Sequence, residues 1–225
     1  SIRRQRQMCI RDSPALEPDL DKPLFLEMSV SPYQAPDKPT EVSVEFEAGV
    51  PVAVNGEKMK VSAIIKKLNA LGGANGIGIL DIVENRLIGM KDHGIYETPG
   101  GTILYFAHEQ LEMLTLDKET AHLKSKLAVD YADLIYNGKW YTPLQEALTV
   151  FAKKANEYCT GTVKLKLYKG NMINAGITSP YSQYSEELVT FGESDFDQAA
   201  SAGFISIWGL PTKVQALLDE GALNK

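Results

Sequence analysis

The 225-residue chain has ordinary globular composition, with 44% hydrophobic and 23% charged residues, so it can bury a sizeable core. Its net charge of -6 argues against nucleic acid as the main partner, because neutralising phosphates requires clustered Lys and Arg. No apolar run approaches the roughly 18 residues of a membrane span, and two cysteines without a glycosylation sequon favour a reducing compartment. We therefore expect a cytoplasmic protein with neither nucleic acid nor a membrane as partner.

The first 40 residues differ from the rest of the chain. Residues 1–13 hold four arginines and one aspartate without periodicity or an apolar signal-peptide core. A targeting peptide would be longer and amphipathic, so we interpret this segment as non-native or adapter-derived and expect it to take no part in the fold. Residues 14–40 contain six prolines, which predicts an extended connector packed on a part of the protein that this chain lacks.

The first regular elements are predicted from residue 41 onward. Apolar and polar residues alternate on both sides of Gly49, which indicates a β-hairpin. Ser62 is predicted to cap a helix that stops at the Gly72–Gly73 pair. Residues 79–87 are short and β-branched, which predicts a buried strand. The apolar face of the predicted helix consists of Ile64, Ile65, Leu68 and Leu71.

Helices dominate the second half of the predicted order. Two helices are expected after residue 100, and a third begins at a capping box formed by Thr142 and Gln145. A second hairpin turns at residues 169–171, a last strand is predicted at 203–208, and a final helix runs from Pro211 to about Gly221. This order predicts an α+β fold, with a mixed or antiparallel sheet, packed helices and a C-terminal helix for oligomerisation.

Common catalytic motifs give no assignment. The sequence has no GxxxxGKS/T loop or GxSxG elbow, and the glycines of 72–78 do not follow a strand and open a helix as a dinucleotide fingerprint would. The three histidines lack metal-ligand spacing. We therefore assign no catalytic, cofactor-binding or metal residue, and interpret Cys159 as structural and both His108 and His122 as helix-surface residues.

One charged segment, residues 81–99, has a composition typical of a site. A purely structural interpretation makes Glu84 and Arg86 an ion pair and Tyr96 a half-buried packing residue. A functional interpretation places a carboxylate and a phenol together, so that they receive the ammonium group of an amino acid. The residues alone leave both interpretations open. The polar members of the segment are Asp81, Glu84, Arg86, Lys91, Asp92, Tyr96, Glu97 and Thr98.

Long segments in and beyond this cluster resemble the argininosuccinate synthase family. They are DIVENRLIGMK at 81–91, GIYETPGGTILY at 94–105 and LIYNGKWYTP at 134–143. The resemblance implies that residues 41–225 form the C-terminal catalytic and multimerisation domain of that family. Further similar segments lie at 45–56, 160–171, 179–188 and 203–211.

The resemblance implies a reaction and two site residues. The family is an ATP-dependent carbon–nitrogen ligase of arginine biosynthesis and the urea cycle, which uses ATP and Mg to attach AMP to citrulline. That transfer releases pyrophosphate, and the amine of aspartate then displaces AMP to give argininosuccinate. The family's citrulline-binding glutamate and tyrosine carry over to Glu84 and Tyr96. The family is homotetrameric, and this half supplies subunit contacts.

The sequence also departs from the family pattern. A Ser-Gly-Gly-x-Asp loop, which binds ATP in the family, does not occur here, so we expect this chain alone to hold no ATP or Mg and to be inactive. Asn75 and Ile79 stand where histidine and arginine are usual, and Asp92 and His93 where serine and arginine are usual. A non-catalytic assembly module and a self-standing amino-acid-binding domain are the alternative functions.

Overall fold

The computed structural model describes residues 11–12, 18–22, 25–189 and 197–222. The chain divides into two units, Ser1–Gln183 and Tyr184–Lys225. Helices and antiparallel sheets make up the first unit, which confirms the predicted α+β class. The strands are β1 (Arg11–Asp12), β2 (Thr40–Glu47), β3 (Val50–Val54), β4 (Glu57–Lys58), β5 (Ile79–Asn85), β6 (Lys91–Glu97), β7 (Gly161–Tyr168) and β8 (Asn171–Thr178). The helices are α1 (Val61–Ala74), α2 (Pro99–Thr115), α3 (Lys118–Tyr136), α4 (Pro143–Ala155), α5 (Glu186–Val189), α6 (Ala200–Trp208) and α7 (Leu210–Asp219).

A five-stranded antiparallel sheet, ordered β4-β3-β2-β7-β8, carries one side of the core. Successive strand residues point to opposite faces, so the alternating apolar residues of β2 and β7 all reach the same face. That face packs with α1 and α2. Both predicted hairpins are confirmed. The fully buried apolar residues of the two central strands are Val42, Val44, Phe46, Val163, Leu165 and Leu167.

Helix α1 begins and ends differently from the prediction. Its N-cap is Lys60, whose extended backbone precedes Val61, and no side chain caps the helix. The predicted cap at Ser62 is therefore wrong, because the chain turns two residues earlier and Ser62 already lies in the first turn. On the predicted apolar face, Ile64 and Leu68 are buried but Ile65 is exposed.

Gly72 and Gly73 lie inside α1 and do not stop it. The left-handed residues that follow the helix are Gly76 and Gly78. Close packing explains the two helical glycines: a Cβ on Gly72 would lie 2.9 Å from Pro99 Cβ, and one on Gly73 only 2.1 Å from the carbonyl oxygen of Met28. The predicted stop was wrong because glycine also serves where two backbones approach closely.

The described part of the connector packs on this unit. The Val30 amide donates a hydrogen bond to the Gly73 carbonyl at 3.0 Å, and Ser31 and Ala35 are buried. Strand β1 pairs with β6, so the expectation that residues 1–13 take no part in the fold fails for Arg11 and Asp12. The rest of that segment lies outside the described residues, and its origin stays a prediction.

The later helices follow the prediction, with one exception. The carboxylate of Asp117 caps α3, and the Thr142 hydroxyl accepts a hydrogen bond from the Gln145 amide at the start of α4. Residues 203–208 are helical, in α6, and not a strand. A short apolar run does not distinguish the two by periodicity, and here the Gly209 amide donates to the Ile205 carbonyl, as in a helix. Among the helices of the described residues, none combines the length and apolar character needed to cross a membrane.

Candidate functional site

Strands β5 and β6 form an antiparallel hairpin that holds the charged segment. The strand predicted at 79–87 is confirmed as β5, but its predicted burial is wrong, since β5 is an edge strand and Leu80 and Val83 are each more than half exposed. Strand β6 was not predicted, because Asp92, His93 and Gly94 are poor strand formers and only pairing with both neighbours extends them.

The register brings Glu84 and Tyr96 to the same face of this hairpin. Leu80 pairs with Tyr96 and Glu84 with Asp92, so the even-numbered residues of both strands share one face. The Tyr96 hydroxyl donates a hydrogen bond to Glu84 Oε1. The two residues assigned through the family resemblance are therefore direct partners.

Burial raises the pKa of Tyr96 to about 12, and the hydrogen bond and negative charge of Glu84 act in the same direction. The charge of Asp92 adds to the effect. The phenol consequently stays neutral at physiological pH and keeps a proton to donate. A carboxylate has several acceptor positions, so Glu84 can accept from Tyr96 and from an ammonium group together.

A second carboxylate lies opposite Glu84, on the paired residue Asp92. Arg86 Nη2 contacts Asp92 Oδ2 at 3.0 Å, so the arginine pairs with Asp92 and not with Glu84 as the structural interpretation supposed. On the other face of the hairpin, His93 Nε2 lies 2.5 Å from Asp81 Oδ1. Glu84, Asp92 and Tyr96 lie together on one polar surface of the hairpin, which we call the front face.

Glu97, another member of the charged segment, has a structural place. Its side chain is 1% exposed and accepts three backbone hydrogen bonds, from Glu27 at 2.8 Å, Met28 at 2.9 Å and Ser29 at 2.7 Å. The carboxylate thus fastens the connector to the end of β6. Thr98 is the N-cap residue of α2, without a capping side-chain bond. No local sequence signal distinguished Glu97 from Glu84, because its partners are about 70 residues away.

Cys159 and two of the histidines lie outside the hairpin and differ in their burial. Cys159 is buried beside Thr115, with Sγ and Oγ1 3.3 Å apart, and burial raises the pKa of its thiol. This confirms the structural interpretation of Cys159. His108 is partly buried and pairs with Glu112 at 2.9 Å, so it is not a simple surface residue, whereas His122 is exposed. Within the described part of the chain, no cluster of three or more metal-ligating side chains occurs.

Comparison with known proteins identifies the family. Residues 12–215 match the family model described as the arginosuccinate synthase C-terminal domain. The chain is 54% identical over 212 residues to the argininosuccinate synthase of Desulforamulus reducens, an alignment that covers 94% of this chain and 52% of the relative.

Two further relatives, both argininosuccinate synthases, agree. Identity is 57% over 206 residues with Clostridium botulinum strain Eklund 17B, covering 91% of this chain and 50% of the relative. Identity with the enzyme of Carboxydothermus hydrogenoformans is 56% over 209 residues, an alignment that covers 92% of this chain and 51% of the relative. The chain spans about half the length of the curated relatives it matches. The chain belongs to the argininosuccinate synthase family and corresponds to its C-terminal domain.

Proposed function

We propose that the front face binds citrulline, with Glu84 and Tyr96 as the residues that receive its ammonium group. The single observation that carries this proposal is the hydrogen bond from the Tyr96 hydroxyl to Glu84, which holds the carboxylate in place on an exposed hairpin. A carboxylate already oriented by one donor loses little freedom when a cation binds, and charge-assisted hydrogen bonds are about twice as strong as neutral ones.

The chemistry would be that of an ATP-dependent ligase of arginine biosynthesis, acting in the cytoplasm. In this proposal the citrulline held at Glu84 and Tyr96 is activated by AMP transfer from ATP and then attacked by aspartate. Such a reaction depends on holding the reactants in line and on stabilising phosphate charge. The Ser-Gly-Gly-x-Asp loop for ATP and its Mg is not in this sequence, so we expect no turnover from these 225 residues alone.

Calorimetric titration of the purified chain with citrulline tests the site. We expect weak binding by the parent chain and at least tenfold weaker binding by Glu84→Gln, because the variant keeps the shape of the side chain but removes the charge that pairs with the ammonium. Tyr96→Phe should weaken binding less, since it removes a neutral contact to the ammonium and the donor that orients the carboxylate but leaves the negative charge of Glu84. The same substitutions in a full-length relative should raise the KM for citrulline.

Asp81→Asn is the matched control for this experiment. It removes one negative charge from the same strand, but Asp81 lies on the face opposite Glu84. Binding by this variant should equal that of the parent chain. Equal citrulline affinity of the parent and Glu84→Gln would contradict the proposed site. Equal losses of affinity in Glu84→Gln and Asp81→Asn would show that only the net charge of the chain matters, which would also contradict it.

A second role, self-association, is favoured by the exposed helices of the second unit. Helix α6 has no buried residue, and its Phe204, Ile207 and Trp208 side chains are each more than 60% exposed. On α7, Val214 and Leu218 are nearly half exposed and lie four residues apart, so they form one stripe. Apolar surface of this kind is typical of protein interfaces. We propose that it contacts further copies of the chain in a homotetramer.

Sedimentation velocity tests the assembly proposal. The double substitution Val214→Ser and Leu218→Ser should shift the parent oligomer toward the monomer, because it removes the apolar stripe of α7. Lys213→Ser, in the same helix, is the control and should leave the oligomer unchanged. A parent chain that sediments only as a monomer at all concentrations would reject this role.

A further inference from the structure

Gly94 lies in the middle of β6, on the front face between Asp92 and Tyr96. Its backbone is buried, paired with Ile82 of β5 on one side and Asp12 of β1 on the other. Its φ is not positive, so the backbone conformation does not require glycine. Glycine is otherwise unfavourable in a strand, because it adds no packing and loses much conformational freedom.

The space above Gly94 is taken by the ring of Tyr96. A Cβ added at this position would lie 3.0 Å from Cε2, 3.3 Å from Cζ and 3.4 Å from the hydroxyl oxygen of Tyr96. The three nearest atoms thus all belong to one aromatic side chain, and none belongs to the backbone. The tyrosine side chain extends back along its own strand, directly over the glycine.

The distance along the strand explains why the ring takes this path. Glu84 pairs with Asp92, four residues before Tyr96 in β6. At about 3.4 Å per residue, these positions are roughly 14 Å apart along the strand, so the Tyr96 side chain must extend over the intervening position of its own strand to meet Glu84. That intervening position on the same face is Gly94.

We propose that Gly94 is a positioning residue for the Glu84–Tyr96 pair: the missing side chain lets the Tyr96 ring lie over β6 and bring its hydroxyl to Glu84. A side chain at position 94 would move the ring and separate hydroxyl and carboxylate. The contact between Gly94 and Tyr96 stands on geometry, whereas its consequence for citrulline rests on the proposed function.

Two substitutions of increasing size test the positioning role. Gly94→Ala places one carbon against the flexible end of the Tyr96 side chain, so the ring should shift and the protein should fold. Gly94→Val adds a branched side chain that strands favour but that fills the position of the ring. Gly101→Ala is the control, because a Cβ there would meet nothing closer than 3.9 Å.

The readout is the ionisation of Tyr96, followed by NMR of chains labelled with ¹³C at tyrosine Cζ. The Tyr96 signal is assigned by its loss in Tyr96→Phe. In the parent chain and in Gly101→Ala it should titrate with a midpoint of about 12. In Gly94→Val the midpoint should fall, because the displaced hydroxyl loses the hydrogen bond and the negative charge of Glu84 that help to raise the pKa, and in Gly94→Ala it should fall less. Unchanged midpoints in both variants would overturn the proposal.

A second variant, which also lacks the Tyr96 ring, tests the proposal if Gly94→Val does not fold. When Tyr96→Leu removes the ring, Gly94→Val should become tolerated, and folding of the double variant would support the proposal. If the double variant also fails to fold, position 94 requires glycine for another reason and the proposal is overturned. Citrulline titrations of the folded variants test the proposed function separately, because the NMR midpoint needs no ligand.

Discussion

Glu97→Ala should lower the free energy of unfolding by about 3–5 kcal/mol, because three partly buried backbone amides lose hydrogen bonds to a carboxylate, which contribute about 1.5–3 kcal/mol each, and regain only part of this from water. The substitution leaves the amides of Glu27, Met28 and Ser29 without their acceptor, and it opens space around a side chain that is 1% exposed. Urea denaturation followed by circular dichroism measures the loss. Hydrogen exchange at the three amides should accelerate in the variant before global unfolding.

Glu97→Gln is the matched control for this prediction. Its amide oxygen can still accept from Met28 and Ser29, which share one carboxylate oxygen, while its NH₂ group would face the Glu27 amide. We expect the free energy of unfolding to fall by only about 1–2 kcal/mol, because one backbone amide is left without an acceptor instead of three. Losses of equal size in the Ala and Gln variants would show that charge, and not the number of accepted bonds, fastens the connector.

Gly73→Ala should also destabilise the chain strongly, by about 3 kcal/mol or more. The added Cβ would lie 2.1 Å from the Met28 carbonyl oxygen, a backbone atom, so the connector itself must move. That movement would strain the hydrogen bond from the Val30 amide to the Gly73 carbonyl. The loss opposes the gain of about 1 kcal/mol that alanine gives in a helix interior.

Gly203→Ala, in the interior of α6, is the control for Gly73→Ala. A Cβ there would have no neighbour within 4 Å, so only helix propensity acts and the variant should be as stable as the parent or slightly more stable. Chemical denaturation of both variants measures the difference. A Gly73→Ala chain as stable as the parent would show that the connector is not held against α1 in solution.

These two predictions concern the part of the fold that sequence reasoning described least well. The alternating residues of β2 and β7 and the cap at Thr142 are local signals, and the structure confirms them. The contacts of the connector were not predicted, because its partners Gly73 and Glu97 are about 40 to 70 residues away and carry no local pattern.

The candidate site likewise combines residues that the sequence indicated with contacts that it did not. Glu84 and Tyr96 were assigned through a family resemblance, and the register of β5 and β6 brings them together. The pairing of Arg86, which directly follows β5, with Asp92 of β6 could not be chosen over Glu84–Arg86 without that register. Gly94 gave no signal at all, since a glycine that makes room for a ring looks the same in sequence as one that turns the chain.

The alternation of side chains in β6 separates the two departures from the family pattern at positions 92 and 93. Asp92 lies beside Glu84 and changes the charge of the front face, whereas His93 pairs with Asp81 behind it. The two residues are neighbours in sequence but lie on opposite faces of the hairpin. A substitution at position 93 would therefore leave the charge of the front face unchanged, whereas one at position 92 would alter it.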